Sequence, residues 1–255
     1  MLYIRKHTIP IFILTLISMV ISSCDDGRIY EKTVHIPREG RTLKLTGKIN
    51  GIDKWTSDYS IVVAGFDDEN KYAIISKIVS TSVGEDNNTQ VIMAGISDDV
   101  TKVELCAIDR LRRRVVTFCS INSSTAEADT IRMDVGTIDV SMYHAIQTNI
   151  FTANCIGCHG ESTEAAAQLH LTERASYNAL VNQPSIIDGN MLRVKPNNAQ
   201  ESFLHLILNS NDYSHHPHVD ILPAKTKTEL LELIDNWIDG GAQQQPVIKK
   251  SYGQQ

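Results

Sequence analysis

The 255-residue chain has one C-x-x-C pair and no second. That absence counts against a closed zinc module built from two such pairs. Positive charge is also in short supply. Lys and Arg number 24 against 30 Asp and Glu, a formal net charge of −6, so composition gives no reason to expect a nucleic-acid partner. The lone basic run, Arg112-Arg113-Arg114, falls where a hairpin turn is expected and reads as a solvated turn. The apolar run from Ile9 to Ile21 is too short for a comfortable membrane span. Residues 31–140 show no helical period of any length and no catalytic constellation. What is present is ordinary for a globular protein, 42% hydrophobic and 21% charged, with room for two modest domains.

The first residues read as a targeting segment. Arg5 and Lys6 form a positive start, the short apolar run follows, and Ile21-Ser22-Ser23-Cys24 ends it. Small residues before a single cysteine resemble the lipobox of bacterial lipoproteins. The resemblance implies a signal peptide over residues 1–23, cut before Cys24, which becomes the lipidated first residue and anchors the protein to a membrane. A plain signal peptide with an incidental cysteine, or an uncleaved anchor, is the alternative. Residues 24–30 then form a polar tether beginning Asp25-Asp26. Acidic residues there resemble the surface-export signal of some Gram-negative lipoproteins, whereas in other bacteria Asp at that place signals inner-membrane retention; the expected location is the outer membrane of the cell envelope, on its periplasmic face or at the cell surface.

From about Glu31 to Val140 the pattern is short strands split by Asp, Asn, Gly and Ser turns. Thr42–Ile49, Ser60–Phe66, Tyr72–Val79, Gln90–Ile96, Lys102–Ile108, Arg114–Ile121 and Thr130–Val135 each read as a strand. Seven strands at this spacing predict an all-β sandwich of immunoglobulin-like type. Trp55 and Tyr59 read as packing or edge residues, and His35 as a strand surface residue. Cys106 and Cys119 fall in strands flanking the Arg112-Arg113 turn. A symmetric hairpin would set them opposite each other, either as a disulfide in an oxidising compartment or as two free buried thiols.

At about Ser141 the period changes. Tyr143, Ile146, Ile150 and Phe151 fall on one face of a helix that runs into Cys155-Ile156-Gly157-Cys158-His159. Two thiols two residues apart, followed by histidine, form the attachment pattern of a c-type haem. Each thiol adds to a haem vinyl group as a thioether, and the adjacent imidazole of His159 binds the iron. The other reading is half of a zinc site, completed by His215, His216 and His218. Further helices are expected at Ala175–Val181 and Ser202–Leu208, with His205 facing solvent. The last helix opens on a capping box of Thr226 and Glu229 and carries the stripe Leu230, Leu233, Ile234, Trp237 and Ile238. Residues 244–255 read as a disordered polar tail.

The order of these features across residues 141–243 resembles the cytochrome c-like domain of envelope proteins in Bacteroidetes and Planctomycetes. The matching residues are C-x-x-C-H-G, Tyr177-x-x-Leu180-Val181-Asn182, Arg193-Val194-x-Pro196, Ser202-x-Leu204 and Trp237-Ile238-Asp239-x-Gly241-Ala242. The resemblance implies an all-α C-terminal domain around one haem c, with Cys155, Cys158 and His159 holding it and Phe151 packed near Trp237. Such domains place a Met-Pro pair before the last helix, the Met being the second iron ligand. Here the pair is Leu222-Pro223, and leucine cannot bind iron. His218, nearest the vacated place, then His216, are the substitutes; Met191 or an open sixth position are the alternatives. Arg193 and Lys195 are expected beside the haem propionates. The implied function is electron transfer to an unidentified redox partner in the envelope, with the chain a carrier rather than an enzyme. A haem peroxidase or gas sensor with an open position is a second reading. A surface binding lipoprotein whose sandwich does the work is a third.

Overall fold

The computed structural model describes residues 40–81, 88–123, 129–212 and 218–244. The signal peptide, Cys24, the tether, His35, His215, His216 and all but the first residue of the polar tail lie outside these residues. Strands form along the segments of alternating hydrophobicity: β1 (Arg41–Asn50), β2 (Tyr59–Phe66), β3 (Ile75–Ile78), β4 (Thr89–Ile96), β5 (Lys102–Asp109), β6 (Arg114–Asn122) and β7 (Thr130–Asp139). One sheet has the order β4-β1-β7 and the other β3-β2-β5-β6. Leu43 and Leu45 of β1, Val91 and Met93 of β4, and Ile131 and Met133 of β7 point inward from the first sheet. Ile61 and Val63 of β2 and Val103, Leu105 and Ala107 of β5 meet them from the second. Strand β2 is buried on its outer side as well, where Val62, Ala64 and Phe66 join Ala73, Cys106 and Ile108. The Arg114 guanidinium lies over the Phe66 ring, 4.8 Å from its centre.

The expected fold class is not the one the chain adopts. In an immunoglobulin-like sandwich the first, second, fifth and fourth strands share a sheet. Here β1 is parted from β2 and lies between β4, antiparallel, and β7, parallel. A 3₁₀ turn at Ile52–Lys54 carries the chain from one sheet to the other in place of a hairpin. The C-terminal part is not an all-α cytochrome c-like domain either. It consists of α1 (Met142–Ile146), a π-helical segment Gln147–Cys155, a 3₁₀ turn Ala166–Gln168, α2 (Ser176–Leu180), α3 (Phe203–Asn209) and α4 (Lys227–Asp239). Between α2 and α3 the backbone pairs with itself through the bridges Val181 to Val194, Pro184 to Leu192 and Leu192 to Ser202. Pieces this short do not hold as helices unaided, because each turn's nucleation entropy must be offset by tertiary packing.

That packing comes from the sandwich. One contiguous cluster of buried residues runs from Leu43 in β1 through Val140 and Ile150 to Trp237 and Ala242. Trp55 donates its indole N–H to the Val140 carbonyl at 2.6 Å, and Asn236 of α4 donates to the Tyr59 hydroxyl at 2.8 Å. Burial pushes the Tyr59 phenol up to about 12 despite that bond. Gly51 makes the junction close. Its φ is +83°, and a Cβ there would lie 2.6 Å from the Ser141 side chain at the head of α1.

Charged groups tie the same junction. Glu229 of α4 is buried, accepts from Lys71 Nζ at 2.7 Å and lies 3.7 Å from Arg113 Nη1. Arg113 also reaches Asp109 and Glu232, so this arginine of the basic run is bound into an acidic network rather than solvated. The expected capping box is absent: Thr226 makes no side-chain cap, and the Glu229 carboxylate turns to Lys71 and Arg113. His205 does not face solvent, since its Nδ1 meets Asp235 Oδ1 at 2.8 Å with the ring largely covered.

Burial raises the Glu229 carboxyl, but the bond from Lys71, its own amide and the two cations outweigh it and hold it below the ordinary range. A depressed carboxyl stabilises the fold above its unfolded value and loses that contribution as pH falls through the folded one. Glu229→Gln is expected to cost about 3 kcal/mol at neutral pH by urea denaturation. The gap to the parent should narrow as pH drops below about 4. An equal gap at pH 7 and pH 3 would refute this role.

Candidate haem site

The helix that starts at Ser141 changes character at Gln147. Its hydrogen bonds lengthen to a π pattern that runs to Cys155, and the Ile156 amide reaches back to the Phe151 carbonyl at 3.1 Å. Asn154 donates to the Asn149 and Ile150 carbonyls at 3.1 Å each, and Asn149 donates to Ala145 at 2.9 Å. The five-residue step leaves Ile150 and Phe151 in the core and presents Cys155 half-buried, its thiol 3.6 Å from the Ile150 carbonyl. A tight turn follows, with the Cys158 and His159 amides both directed at the Cys155 carbonyl. Gly160 belongs to this turn: a Cβ there would sit 2.8 Å from the Ile156 carbonyl oxygen. Cys155 and Cys158 are both free thiols, Cys158 the more exposed. Burial, with Cys158 alongside, pushes the Cys155 thiol up to about 11.

A buried polar chain fixes the ground under this turn. The Tyr143 hydroxyl meets Ser176 Oγ at 2.6 Å, and Ser176 donates to Gln147 Oε1 at 2.5 Å. The Gln147 amide then donates to the Leu171 carbonyl at 2.9 Å. The Leu171 amide in turn donates to the His159 carbonyl at 2.7 Å. Tyr143 also stacks on Trp237, 5.2 Å between ring centres, so the first and last helices meet through these two rings. Phe151 lies fully buried in the same cluster.

His159 Nδ1 lies 2.9 Å from the Ala166 carbonyl. A carbonyl only accepts, so Nδ1 carries the proton and, in the neutral ring, the lone pair sits on Nε2, the atom that would bind a metal. Burial lowers the imidazole pKa, partly offset by the Ala166 bond, and His218 adds to the lowering; the neutral form is the one that ligates. The backbone supplying that carbonyl is strained. Ala167 and Gln168 have φ of +54° and +50°, left-handed values that non-glycine residues adopt at a cost of about 1 kcal/mol or more each.

His218 faces this imidazole. The two ring centres are 6.2 Å apart with planes 33° from parallel. His218 Nδ1 is buried and has no hydrogen-bond partner among the described residues. Its carbonyl accepts from the Ile221 amide at 3.1 Å, and Leu222 is packed into the core, which holds the loop in place.

No family model and no curated protein matches this chain. The site therefore stands on its own residues. Among the described residues no three His, Cys, Asp or Glu side chains gather as metal ligands, and His215 and His216 of the zinc reading lie outside those residues, so what bears on a metal is Cys155, Cys158, His159 and His218. They do fit a haem: two unbonded thiols at the attachment spacing, one imidazole with its outer nitrogen satisfied, and a second imidazole across a gap.

The other expected residues fall variously. Arg193 donates to the Ala179 carbonyl at 2.9 Å and the Ala167 carbonyl at 3.2 Å, pinning the strained backbone beside His159. Burial lowers its guanidinium pKa. Lys195 is paired with Glu201. Met191 lies in the turn after Asp188, its amide donating to that carbonyl. Cys106 and Cys119 are both free. A bulge pairs Leu105 with Cys119 and Cys106 with Thr117, so Cys106 joins the outer cluster while Cys119 packs on the inner one. Gln147 and Ser176 were missed as site supports. A lone glutamine within the apolar stretch of the first helix was the available signal for one of them.

Ser176→Ala would leave the Tyr143 hydroxyl and the Gln147 carbonyl oxygen buried without partners. It is expected to destabilise the fold by about 2 kcal/mol in urea denaturation. A cost near zero would show that the chain of bonds does not support the turn.

Proposed function

We propose that this protein carries one covalently attached haem and serves electron transfer in the bacterial cell envelope, held to a membrane by a lipid on Cys24. The observation that carries the reading is Cys155-x-x-Cys158-His159 with the His159 ring fixed through Nδ1, so that the lone pair of the neutral ring sits on Nε2. It rests on the residues of the site and not on a cytochrome c-like fold. Each thiol would attach by adding its sulfur and hydrogen across one vinyl double bond, with no net oxidation. When bound, the haem supplies a one-electron couple between ferric and ferrous iron. The rest is the chain's own work. Ala166 holds the imidazole tautomer, Arg193 holds the Ala166-Ala167 backbone, and the Tyr143–Ser176–Gln147 chain keeps the attachment turn in place. Arg193 also sets a cation near His159, which would favour a haem propionate on that side.

One feature favours an envelope location: the lipobox-like Ile21-Ser22-Ser23-Cys24. Among the described residues no helix is long and apolar enough to cross a membrane, which a lipid anchor does not require. The partner is then a redox protein or small carrier of the same compartment.

Protein made in a host that matures c-type cytochromes should retain the full haem mass after denaturation, on a peptide containing Cys155 and Cys158. Haem that extracts into acidic acetone would sink the reading. Cys24→Ala should release the protein from membranes or block its processing. Unchanged size and unchanged membrane association would refute the anchor.

A further inference from the structure

We infer that His218 is the second axial ligand, so that the iron is closed on both sides by imidazole. The inference rests on the haem reading above and goes beyond it in fixing the coordination of the iron. Metal–imidazole bonds of about 2 Å, with the radius of a five-membered ring added on each side, place the centres of two trans imidazoles about 6 Å apart. The observed separation of the His159 and His218 rings is 6.2 Å. No hydrogen bond joins the two side chains among those described. The separation matches the width of one shared ion.

The orphaned nitrogen points the same way. A buried polar atom without a partner costs about 1–3 kcal/mol, and His218 Nδ1 is such an atom. His218 is also held rather than loose. The Ile221 amide closes a turn onto its carbonyl, and Leu222, four residues on, is anchored in the core. Leu222 thus acts as the apolar tether of the loop while the ligand is offered from earlier in it.

Two consequences follow. A saturated iron has no position for peroxide or a gas, so the site suits outer-sphere electron transfer rather than catalysis or sensing. The imidazole planes are 33° apart, closer to parallel than to perpendicular. Near-parallel planes split the iron orbitals strongly, so the ferric protein should give a rhombic low-spin resonance rather than the axially stretched signal of perpendicular imidazoles.

The test uses full-length protein matured with haem, read by optical absorption, electron paramagnetic resonance and carbon monoxide binding, with haem content measured separately by mass. The expected result is a low-spin ferric spectrum without the near-infrared band of His–Met ligation, and no rapid uptake of carbon monoxide by the ferrous form. His218→Ala should turn the spectrum high-spin and open the iron to carbon monoxide. His218→Met should restore low spin, introduce the near-infrared band and raise the reduction potential, which a purely structural role for His218 would not do. His216→Ala should change nothing. Covalent haem with a low-spin spectrum indifferent to His218→Ala, or a His–Met band in the parent, would overturn the inference and leave the haem reading standing. A high-spin parent that binds carbon monoxide would do the same. Absence of covalent haem would overturn both.

Discussion

Closure of one end of the sandwich by apolar contact is what the C-terminal part depends on. Ile49, Tyr59 and Val140 lie at the ends of β1 and β2 and just past β7, and their apolar surface continues the interior outward. Met142, Ile146, Leu233 and Trp237 complete it. Burying apolar area at about 25 cal/mol per Å² offsets the entropy of ordering helices too short to form alone. The attachment turn is the direct continuation of the helix that makes this seal. Its position is therefore inherited from the core rather than from a separate haem-centred domain.

The strands were legible because half-buried strands alternate, and alternation survives in one dimension. Their order was not. Which strand lies beside β1 depends on partners far apart in sequence, and the change of sheet at Ile52–Lys54 leaves no periodic trace. The stripe of α4 was legible for the same reason as the strands. The role of Glu229 was not, because a local capping pattern lost to two cations from the distant segment before β3 and from the turn before β6. The first helix was expected to keep its α period through Phe151. The structure turns π after Ile146, where Asn149 and Asn154 bond backbone carbonyls that a regular helix would use. At the site, His218 entered as an iron ligand only through the resemblance, at the Leu222-Pro223 departure, while the C-x-x-C-H motif was readable from spacing. The carbonyl of Ala166 was not, since backbone acceptors carry no residue identity.

Strain and support sit side by side around His159. Two consecutive left-handed residues, Ala167 and Gln168, turn the chain so that adjacent carbonyls meet His159 and Arg193. Neither position is glycine, which would adopt those angles freely at the expense of a looser loop. The arrangement favours a fixed imidazole over local relaxation.

The parallel pairing of β1 with β7 has a consequence in time. A ribosome delivers β1 first and β7 last among the strands, so β1 can meet β4 early but its other edge stays open until the whole sandwich has emerged. Such long-range closure is slow compared with local helix or hairpin formation. The thiols of Cys155 and Cys158 follow β7 closely in the chain. The segment that bears them can therefore be seated on the core only after this closure is made.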